Sequence, residues 1–262
     1  LPILEDLKKQ VPESVLAIMR IPGVGPKKAA AIYDQLGIAT LDDLRTACHQ
    51  NKIRELKGFG AKTEETILAG IDLAATADER IKWAEADVVV NSVLAHLLEC
   101  QGVQQVEAAG SYRRGRETVG DLDFLVVAKD TAEVMDHFGK YEEVADTIAR
   151  GDTKMSVRTE SGLQMDLRVV PAESFGAALQ YFTGSKDHNV ILRGRAKAKG
   201  LKINEYGVYE VKKDGEEKYI AGKTEKDVYA TLDLPVFPPE IREARQEFDW
   251  AEAGELPQLI TL

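Results

Sequence analysis

The chain reads Gly110-Ser111-Tyr112-Arg113-Arg114-Gly115 and, four residues later, Gly120-Asp121-Leu122-Asp123-Phe124-Leu125-Val126-Val127. The apolar run predicts a strand, in which Asp121 and Asp123 share one face because successive side chains alternate. Ionising two adjacent carboxylates is unfavourable unless a cation lies between them. Mg²⁺ is typically held by one or two carboxylates together with substrate phosphates. The motif therefore predicts metal-assisted phosphate chemistry.

A third carboxylate is available further along the chain. Two-metal phosphoryl transfer uses carboxylates that bridge two ions about 3.5–4 Å apart. The segment Leu163-Gln164-Met165-Asp166-Leu167-Arg168-Val169-Val170 places Asp166 in an apolar strand, where an unpaired acid is unfavourable. The alternative is a strand-edge aspartate paired with Arg168.

Length and composition limit the class of protein. The chain has 262 residues, 44% of them hydrophobic and 30% charged, enough for two or three small domains with a real core. No run of about 18 apolar residues is present. The first residues lack a secretory signal and an initiator Met, so we expect a cytoplasmic chain that is a piece of a longer one. Cys48 and Cys100 lack metal-ligand spacing and are expected to be reduced thiols.

The charge is unevenly distributed. The net charge of −10 argues against indiscriminate binding of nucleic acid, but residues 193–202 carry five cations and no acid. Residues 240–262 carry six acids against two arginines. The basic run has two open interpretations, a DNA contact and a solvated helix face.

A weak repeat marks the helical N-terminal part. The segment Ile21-Pro22-Gly23-Val24-Gly25-Pro26-Lys27-Lys28 resembles Leu56-Lys57-Gly58-Phe59-Gly60-Ala61-Lys62-Thr63. A Gly-x-Gly turn before a helix leaves backbone N–H groups free for a phosphate at the positive end of the helix dipole. A plain packing corner between helices is the alternative. Two copies with lysines favour contacts to the DNA backbone through Gly23, Gly25, Lys27, Lys28, Gly58, Gly60 and Lys62.

The pattern of elements predicts an α+β chain. Residues 1–85 read as short helices. Residues 86–173 read as a helix followed by strands, and residues 174–245 as two helices with short strands. We expect a tail or linker over 246–262.

The motifs above, together with Tyr181-Phe182-Thr183-Gly184-Ser185 and Asn204-Glu205-Tyr206, resemble in order and spacing the X-family, polymerase beta-like DNA polymerases of the bacterial branch. The resemblance implies a helix-hairpin-helix, fingers-like DNA-binding domain over 1–85. It implies a nucleotidyltransferase-type palm with a mixed sheet over 86–173 and a small α+β thumb, which binds the nucleotide and the nascent base pair, over 174–245. The N-terminal small domain and the C-terminal PHP nuclease domain of that branch are not evident.

The resemblance implies a role for each matched residue. Asp121, Asp123 and Asp166 hold two divalent ions, Mg²⁺ or Mn²⁺, and Asp166 is a candidate acceptor of the primer hydroxyl proton. Nucleotide contacts fall on Gly110, Ser111, Arg114, Gly120, Tyr181, Phe182, Gly184, Lys186 and Asn189. Arg113 is left outside this set, with an outward-facing side chain as its expected position.

Further contacts follow from the same resemblance. Arg193 reaches the template strand, and Arg168 with Glu205 forms a conformational switch. The hairpin carbonyls of Met19, Ile21 and Val24 hold K⁺ or Na⁺ against a DNA phosphate. Lys186, His188 and Gln164 depart from the polymerase beta pattern, so no role is predicted for His188 or Gln164.

The resulting hypothesis is a DNA-directed DNA polymerase that fills short gaps in DNA repair, including base excision repair. Its expected partners are primer-template or gapped DNA and a dNTP, and it is expected to be a monomer associated with the bacterial nucleoid. Another nucleotidyltransferase of the palm superfamily and a noncatalytic DNA-binding scaffold are the alternatives. The four histidines, His49, His96, His137 and His188, are scattered in sequence, so no histidine metal cluster and no exonuclease or phosphatase activity are expected.

Overall fold

A computed structural model describes residues 14–19, 21, 23–76, 80–212 and 215–258 of the chain. The chain divides into two compact units, one ending at Glu79 and one beginning at Arg80. In the described part of the chain, no helix is long and apolar enough to cross a membrane.

The first unit is entirely helical where it is described. Its helices are α1 (Val15–Ile18), α2 (Pro26–Leu36), α3 (Leu41–His49) and α4 (Ala61–Thr76), with a 3₁₀ turn at Ile53–Glu55. Gly23 and Gly58 have φ of 79° and 89°, a left-handed conformation that glycine adopts without strain, and they produce the sharp turns before α2 and α4. The apolar residues at helical spacing form one core, which includes Ile18, Ile21, Val24, Ile32, Leu44, Ile53, Ile67 and Ile71.

The second unit begins with a palm built on a five-stranded mixed sheet. The palm contains β1 (Ile81–Lys82), α5 (Trp83–Glu99), β2 (Val103–Ala108), α6 (Gly110–Arg113), β3 (Thr118–Val119), β4 (Asp121–Ala128), α7 (Thr131–Phe138), β5 (Val144–Arg150), β6 (Lys154–Thr159) and β7 (Gln164–Val169). The strand order is β2-β4-β7-β6-β5, and only the central pair β4 and β7 is parallel.

The two faces of this sheet are covered by different helices. Leu122, Phe124 and Val126 of β4 pack against apolar residues of α5 and α7. Leu125 and Val127, which alternate with them, pack on the opposite face against Phe175 and other residues that follow β7. This alternation is the period of two that a strand imposes.

The same unit continues into the thumb. It contains α8 (Phe175–Thr183), α9 (Lys186–Ala198), β8 (Leu201–Asn204), β9 (Gly207–Val211), β10 (Glu217–Ala221), α10 (Glu225–Ala230) and α11 (Glu247–Ala253). The three strands form an antiparallel sheet in the order β10-β9-β8. Its core joins aromatic residues from distant segments, Tyr229, Phe237 and Phe248.

Two expectations about boundaries change. The helical domain ends at Glu79 rather than near 85, because Ile81 pairs with Val119 in the second unit. Residues 247–253 are a helix with Phe248 in the thumb core, so the expected tail is part of the fold. The Asp-Gly pair at 214–215 is a hairpin-turn signal in the sequence, but Asp214 lies outside the described residues. The strands β5 and β10 have mostly exposed side chains and lack apolar alternation, so the sequence pattern does not mark them as strands.

His188 is the buried polar centre of the thumb core. Its side chain is 0% exposed, with Nδ1 2.9 Å from Glu247 Oε1 and Nε2 3.0 Å from the Tyr229 hydroxyl. Its ring stacks on Phe248 with centroids 4.7 Å apart. Burial lowers the pKa of His188 from 6.5 to about 4, so the ring is neutral, donating from Nδ1 to the carboxylate and accepting from Tyr229.

This neutral histidine predicts acid sensitivity of the thumb. Protons bind the unfolded ring below pH 6.5 but the folded ring only near pH 4, so stability is present at neutral pH and is lost as the pH falls between these values. The shift corresponds to about 3 kcal/mol in the free energy of unfolding. Urea unfolding at several pH values should show this loss in the native chain and not in His188→Gln.

The exposed His49 supplies the control, since His49→Gln should keep the native pH dependence. Parallel pH profiles for the native chain and His188→Gln would contradict the assignment.

Candidate active site

The three predicted catalytic aspartates meet on one face of the palm sheet. Asp123 of β4 lies directly opposite Asp166 of the parallel strand β7, and Asp121 precedes Asp123 by two residues on the same face. Leu122 between them is 1% exposed and points into the core on the other face. Carboxylates that are distant in sequence are thus brought together by strand pairing.

Mutual repulsion and burial shape the electrostatics of this cluster. Burial first, and then Asp121 and Asp166, raise the pKa of Asp123 to about 7. Burial and Asp166 also raise the pKa of Asp121, against the opposing effect of Arg80. Simultaneous ionisation of all three carboxylates is therefore unfavourable without a bound cation. An all-carboxylate oxygen donor set fits hard divalent ions such as Mg²⁺ or Mn²⁺.

Asp166 has protein partners on both sides. Lys154 Nζ of the neighbouring strand lies 3.0 Å from Asp166 Oδ2, and Gln164 Nε2 donates to Oδ1 at 3.1 Å. The alternative pairing of Asp166 with Arg168 is not formed. Gln164 thus acquires a contact that its sequence position did not predict.

The Gly110-Ser111 turn fits tightly against these carboxylates. Gly110 has φ of 64°, and a Cβ built there would lie 2.6 Å from Asp123 Oδ2. Glycine is thus required both for the conformation and for the close approach. Ser111 Oγ is buried without a hydrogen-bond partner among the described residues, a state that buried polar atoms rarely adopt.

A cavity of about 740 Å³ opens beside the carboxylates. Of the predicted nucleotide-binding residues, it is lined by Gly110, Ser111, Arg114, Tyr181, Phe182, Gly184, Lys186 and Asn189; Asp121, Asp123 and Arg193 also line it. Gly120 and Asp166 are not among its lining residues, although Gly120 directly precedes Asp121 in the chain. Most of the predicted set therefore surrounds one space.

Arg80 also lines the cavity and was missed by sequence reasoning. Its Nε donates to Thr118 Oγ1 at 2.9 Å, and its Nη2 donates to the Thr118 carbonyl at 2.5 Å. Its Nη1 lies close to Gly120, because a Cβ built at Gly120 would lie 2.9 Å from this nitrogen. An isolated arginine 40 residues before Gly120 carries no local motif, so only the fold reveals it.

The two motif arginines turn toward the thumb. Arg114 Nε lies 2.9 Å from Glu243 Oε1, and its Nη1 donates to the Thr183 carbonyl at 2.5 Å. Arg113 makes two bonds to Glu225, at 2.8 and 3.0 Å, and one to Thr183 Oγ1 at 2.8 Å. The expected outward position of Arg113 is therefore wrong, because this ion pair holds the side chain inside.

The aromatic residues at the end of α8 are held in place by polar neighbours. Tyr181 and Phe182 meet edge to face with ring centroids 5.1 Å apart. The Arg168 guanidinium lies 4.2 Å from the centre of the Phe182 ring. Asn189 Nδ2 donates to the Tyr181 carbonyl at 2.7 Å, which ties α9 to α8.

The predicted switch pair is not formed in this conformation. Among the described residues, no hydrogen bond or ion pair joins Arg168 to Glu205, and Arg168 instead stacks on Phe182. His188, whose role the sequence left open, belongs to the thumb core rather than to the cavity.

In the helical unit, the predicted hairpins present open backbone. A Cβ built at any of the hairpin glycines, Gly23, Gly25, Gly58 and Gly60, meets nothing within 4 Å. Lys27 and Lys62 are exposed, whereas Lys28 Nζ donates to the Gly23 carbonyl at 3.0 Å and supports the first turn. The carbonyl of Ile21 accepts from Val24 N at 2.9 Å; cation binding by Met19, Ile21 and Val24 stays a prediction.

Family models match three successive parts of the chain. Residues 15–72 match the SAM-like helix-hairpin-helix tandem, residues 80–170 the DNA polymerase beta palm, and residues 178–243 the DNA polymerase beta thumb. These three matches follow the order of the helical unit, the palm and the thumb.

Curated relatives extend the match to nearly the whole chain. The chain is 40% identical over 259 residues to the DNA polymerase/3′-5′ exonuclease PolX of Bacillus subtilis (strain 168). The aligned region covers 98% of this chain and 45% of the relative. It is 27% identical over 269 residues to DNA polymerase lambda of Rattus norvegicus, covering 92% and 44%. The chain thus spans less than half the length of these relatives.

Solved structures share the fold. The chain matches two crystal structures of Leishmania infantum polymerase beta, each with a TM-score of 0.70 and 24% identity. A ternary P/T complex is matched over 88% of this chain and 98% of that one, and a ternary gap complex over 90% and 92%. With the palm and thumb models and the PolX relative, these matches establish that the chain belongs to the X family of DNA polymerases.

Proposed function

We propose that this chain is a DNA-directed DNA polymerase that adds dNTPs to a primer 3′-hydroxyl, acting on short gaps during DNA repair. The observation that carries the proposal is the meeting of Asp121, Asp123 and Asp166 at the edge of a cavity lined by Arg80 and Ser111. The curated relatives are named DNA polymerases, and the two solved structures are named as ternary P/T and gap complexes of polymerase beta. These names support DNA and dNTP as the substrates.

The aspartates would hold two divalent ions, Mg²⁺ or Mn²⁺. When bound, such ions neutralise phosphate charge and lower the pKa of an attacking hydroxyl. Asp121 and Asp123 line the cavity and would face the triphosphate, whereas Asp166 lies on the neighbouring strand and would face the primer end. Asp166 can then accept the hydroxyl proton while Lys154 and Gln164 keep its carboxylate oriented.

The other side of the cavity supplies donors for the triphosphate. Ser111 Oγ is a buried donor without a protein partner among the described residues, so a phosphate oxygen would satisfy it. Arg80 and Arg114 add guanidinium groups, which suit phosphate oxygens. These groups bind and position the triphosphate, and positioning with charge neutralisation accounts for most of the catalysis of phosphoryl transfer.

DNA contacts complete the proposal. Arg193 at the cavity would reach the template strand. In the helical unit, the exposed Lys27 and Lys62 and the open glycine turns suit duplex phosphates without reading sequence. K⁺ or Na⁺ would bind at the carbonyls of the first hairpin. We propose a monomer that works at the bacterial nucleoid in the cytoplasm.

The central test is extension of a labelled primer by one nucleotide on gapped DNA in Mg²⁺. Asp166→Ala should lower the rate by about 10³-fold or more, because it removes a carboxylate that the metal at the primer hydroxyl, and the proton of that hydroxyl, require. The matched control is Asp146→Ala, an exposed aspartate of β5, which should retain the native rate. Binding of DNA without any addition by the native chain would favour a noncatalytic scaffold.

The second prediction concerns the approach of the Gly110 turn to Asp123. Gly110→Ala should lower the rate of incorporation by about 10²-fold, because the new Cβ displaces the carboxylate by a fraction of an ångström to an ångström. Gly115→Ala is the control, since Gly115 has φ of 63° but its Cβ would meet only Glu240 Cγ at 3.6 Å.

Both alanine variants bear the strain of a left-handed alanine, about 1 kcal/mol, which urea unfolding measures. Equal loss of activity in the two variants would show that backbone strain, and not the contact with Asp123, is responsible.

The third prediction separates a DNA polymerase from another nucleotidyltransferase of the palm superfamily. Bulk at Tyr181 and Phe182 should produce a preference of about 10²-fold for dNTP over NTP in single-nucleotide incorporation. Tyr181→Ala should reduce that preference, whereas Tyr206→Ala, a tyrosine 54% exposed in the thumb turn, should not. Equal use of both nucleotides by the native chain would favour the alternative enzyme class.

A further inference from the structure

Two histidines that are 41 residues apart meet on the outer side of the palm. The His96 ring of α5 and the His137 ring of α7 stack with centroids 4.0 Å apart and an angle of 9° between their planes. Glu99, one helical turn after His96, is solvent-exposed beside them. The expectation that all four histidines are scattered is therefore wrong for this pair.

The hydrogen bonds of the two rings define their tautomers. His96 Nε2 lies 2.8 Å from the His137 carbonyl, and His137 Nε2 lies 2.7 Å from the His96 carbonyl. A carbonyl oxygen can only accept, so each Nε2 carries the proton. In the neutral ring, each Nδ1 then keeps a lone pair, and no other described residue forms a hydrogen bond with it.

This arrangement is the one that metal-binding histidines usually adopt. Such a histidine donates its second ring N–H to a carbonyl or carboxylate, which sets the tautomer and the orientation of the ring. One ring nitrogen of each histidine and one carboxylate oxygen of Glu99 lie within 4.8 Å of one another. Three ligand atoms that each lie about 2.0–2.2 Å from one ion must be closer to one another than this. Movement of the exposed Glu99 and small shifts of the two rings would provide this closer spacing.

The surroundings favour a cation. A cavity of about 710 Å³ lies at this place. Its lining includes four acids, Glu99, Asp130, Glu133 and Asp136, against one lysine, Lys140. Asp136 is paired with Arg150 at 2.5 Å, and the other acids leave the cavity negative. Imidazole with carboxylate selects Zn²⁺, Ni²⁺ and similar ions over Mg²⁺, which prefers oxygen ligands alone.

We propose that His96, His137 and Glu99 form a transition-metal site, for an ion of the Zn²⁺ or Ni²⁺ class, with water in its open positions. The site lies on the α5 and α7 face of the sheet, because Leu122 and Phe124 of β4 pack on these helices while Asp121 and Asp123 face the other way. A bound ion would tie α5 to α7 and stabilise the palm without touching the catalytic aspartates.

The test is titration of the full chain with Ni²⁺ and with Zn²⁺ by calorimetry, in excess Mg²⁺ so that the aspartate cluster is saturated. We expect one ion per chain. His96→Gln and His137→Gln should each weaken binding by at least about tenfold, the lower end of the effect of losing even an outer partner of a metal ligand. Glu99→Gln, at an exposed position, should weaken binding while leaving the packing intact.

His49→Gln, at an exposed histidine of α3, is the matched control and should bind like the native chain. An ion present at 100 times its dissociation constant should raise the Tm of the native chain by about 5–10 °C and that of His137→Gln by at most about half as much. Gap filling in Mg²⁺ should be unaffected by His137→Gln, so failure of this site and failure of the proposed polymerase function are distinguishable.

Three results would overturn the proposal. They are the absence of saturable binding in excess Mg²⁺, binding that survives both histidine variants, and binding that is lost in Asp166→Ala instead. Long-range ¹H–¹⁵N spectra give an independent readout, since protonation of either ring at Nδ1 rather than Nε2 in the metal-free chain would also contradict it.

Discussion

The parallel pairing of β4 with β7 is the constraint on which the rest of the palm depends. It places Asp123 opposite Asp166, although 42 residues separate them in the chain. A parallel pair needs a long connection, and here the chain between the two strands supplies α7, β5 and β6. The same excursion delivers Lys154 beside Asp166 and His137 beside His96, so one topological requirement organises both faces of the sheet.

A group of buried ion pairs around Glu225 joins the palm to the thumb. Arg242 is fully buried, and its Nη1 lies 2.6 Å from Glu225 Oε1, while Arg113 occupies the other side of the same carboxylate. Although burial alone would raise the pKa of Glu225, hydrogen bonds and charge from both arginines lower it, so the group stays ionised. Because each buried charge is paired, removing one member would leave the others unsatisfied. Palm and thumb are therefore joined by charge as well as by packing.

Local patterns in the sequence were sufficient for most elements and for the shared face of Asp121 and Asp123. The alternation in residues 121–127 and the Gly-Ser turn are short-range features that determine strand, face and turn. Arg80, the inward position of Arg113 and the His96–His137 pair could not be predicted, because each depends on contacts between residues far apart in the chain. The helix α11 was missed for a similar reason, since Phe248 is stabilised by a distant aromatic core. Long-range pairing, and not local propensity, decides these positions.

The register of β4 and β7 keeps the carboxylates and the core residues on opposite faces of the sheet. In β4 and β7 the functional carboxylates alternate with core residues such as Leu122 and Leu167, which are 1% and 0% exposed. A slip of one residue in β7 would turn Asp166 into the apolar core and Leu167 onto the face of the carboxylates, because the side-chain period is two. Burying an unpaired carboxylate there is strongly unfavourable. The hydrophobic effect on one face thus enforces the alignment of the acids on the other, which their own repulsion would oppose.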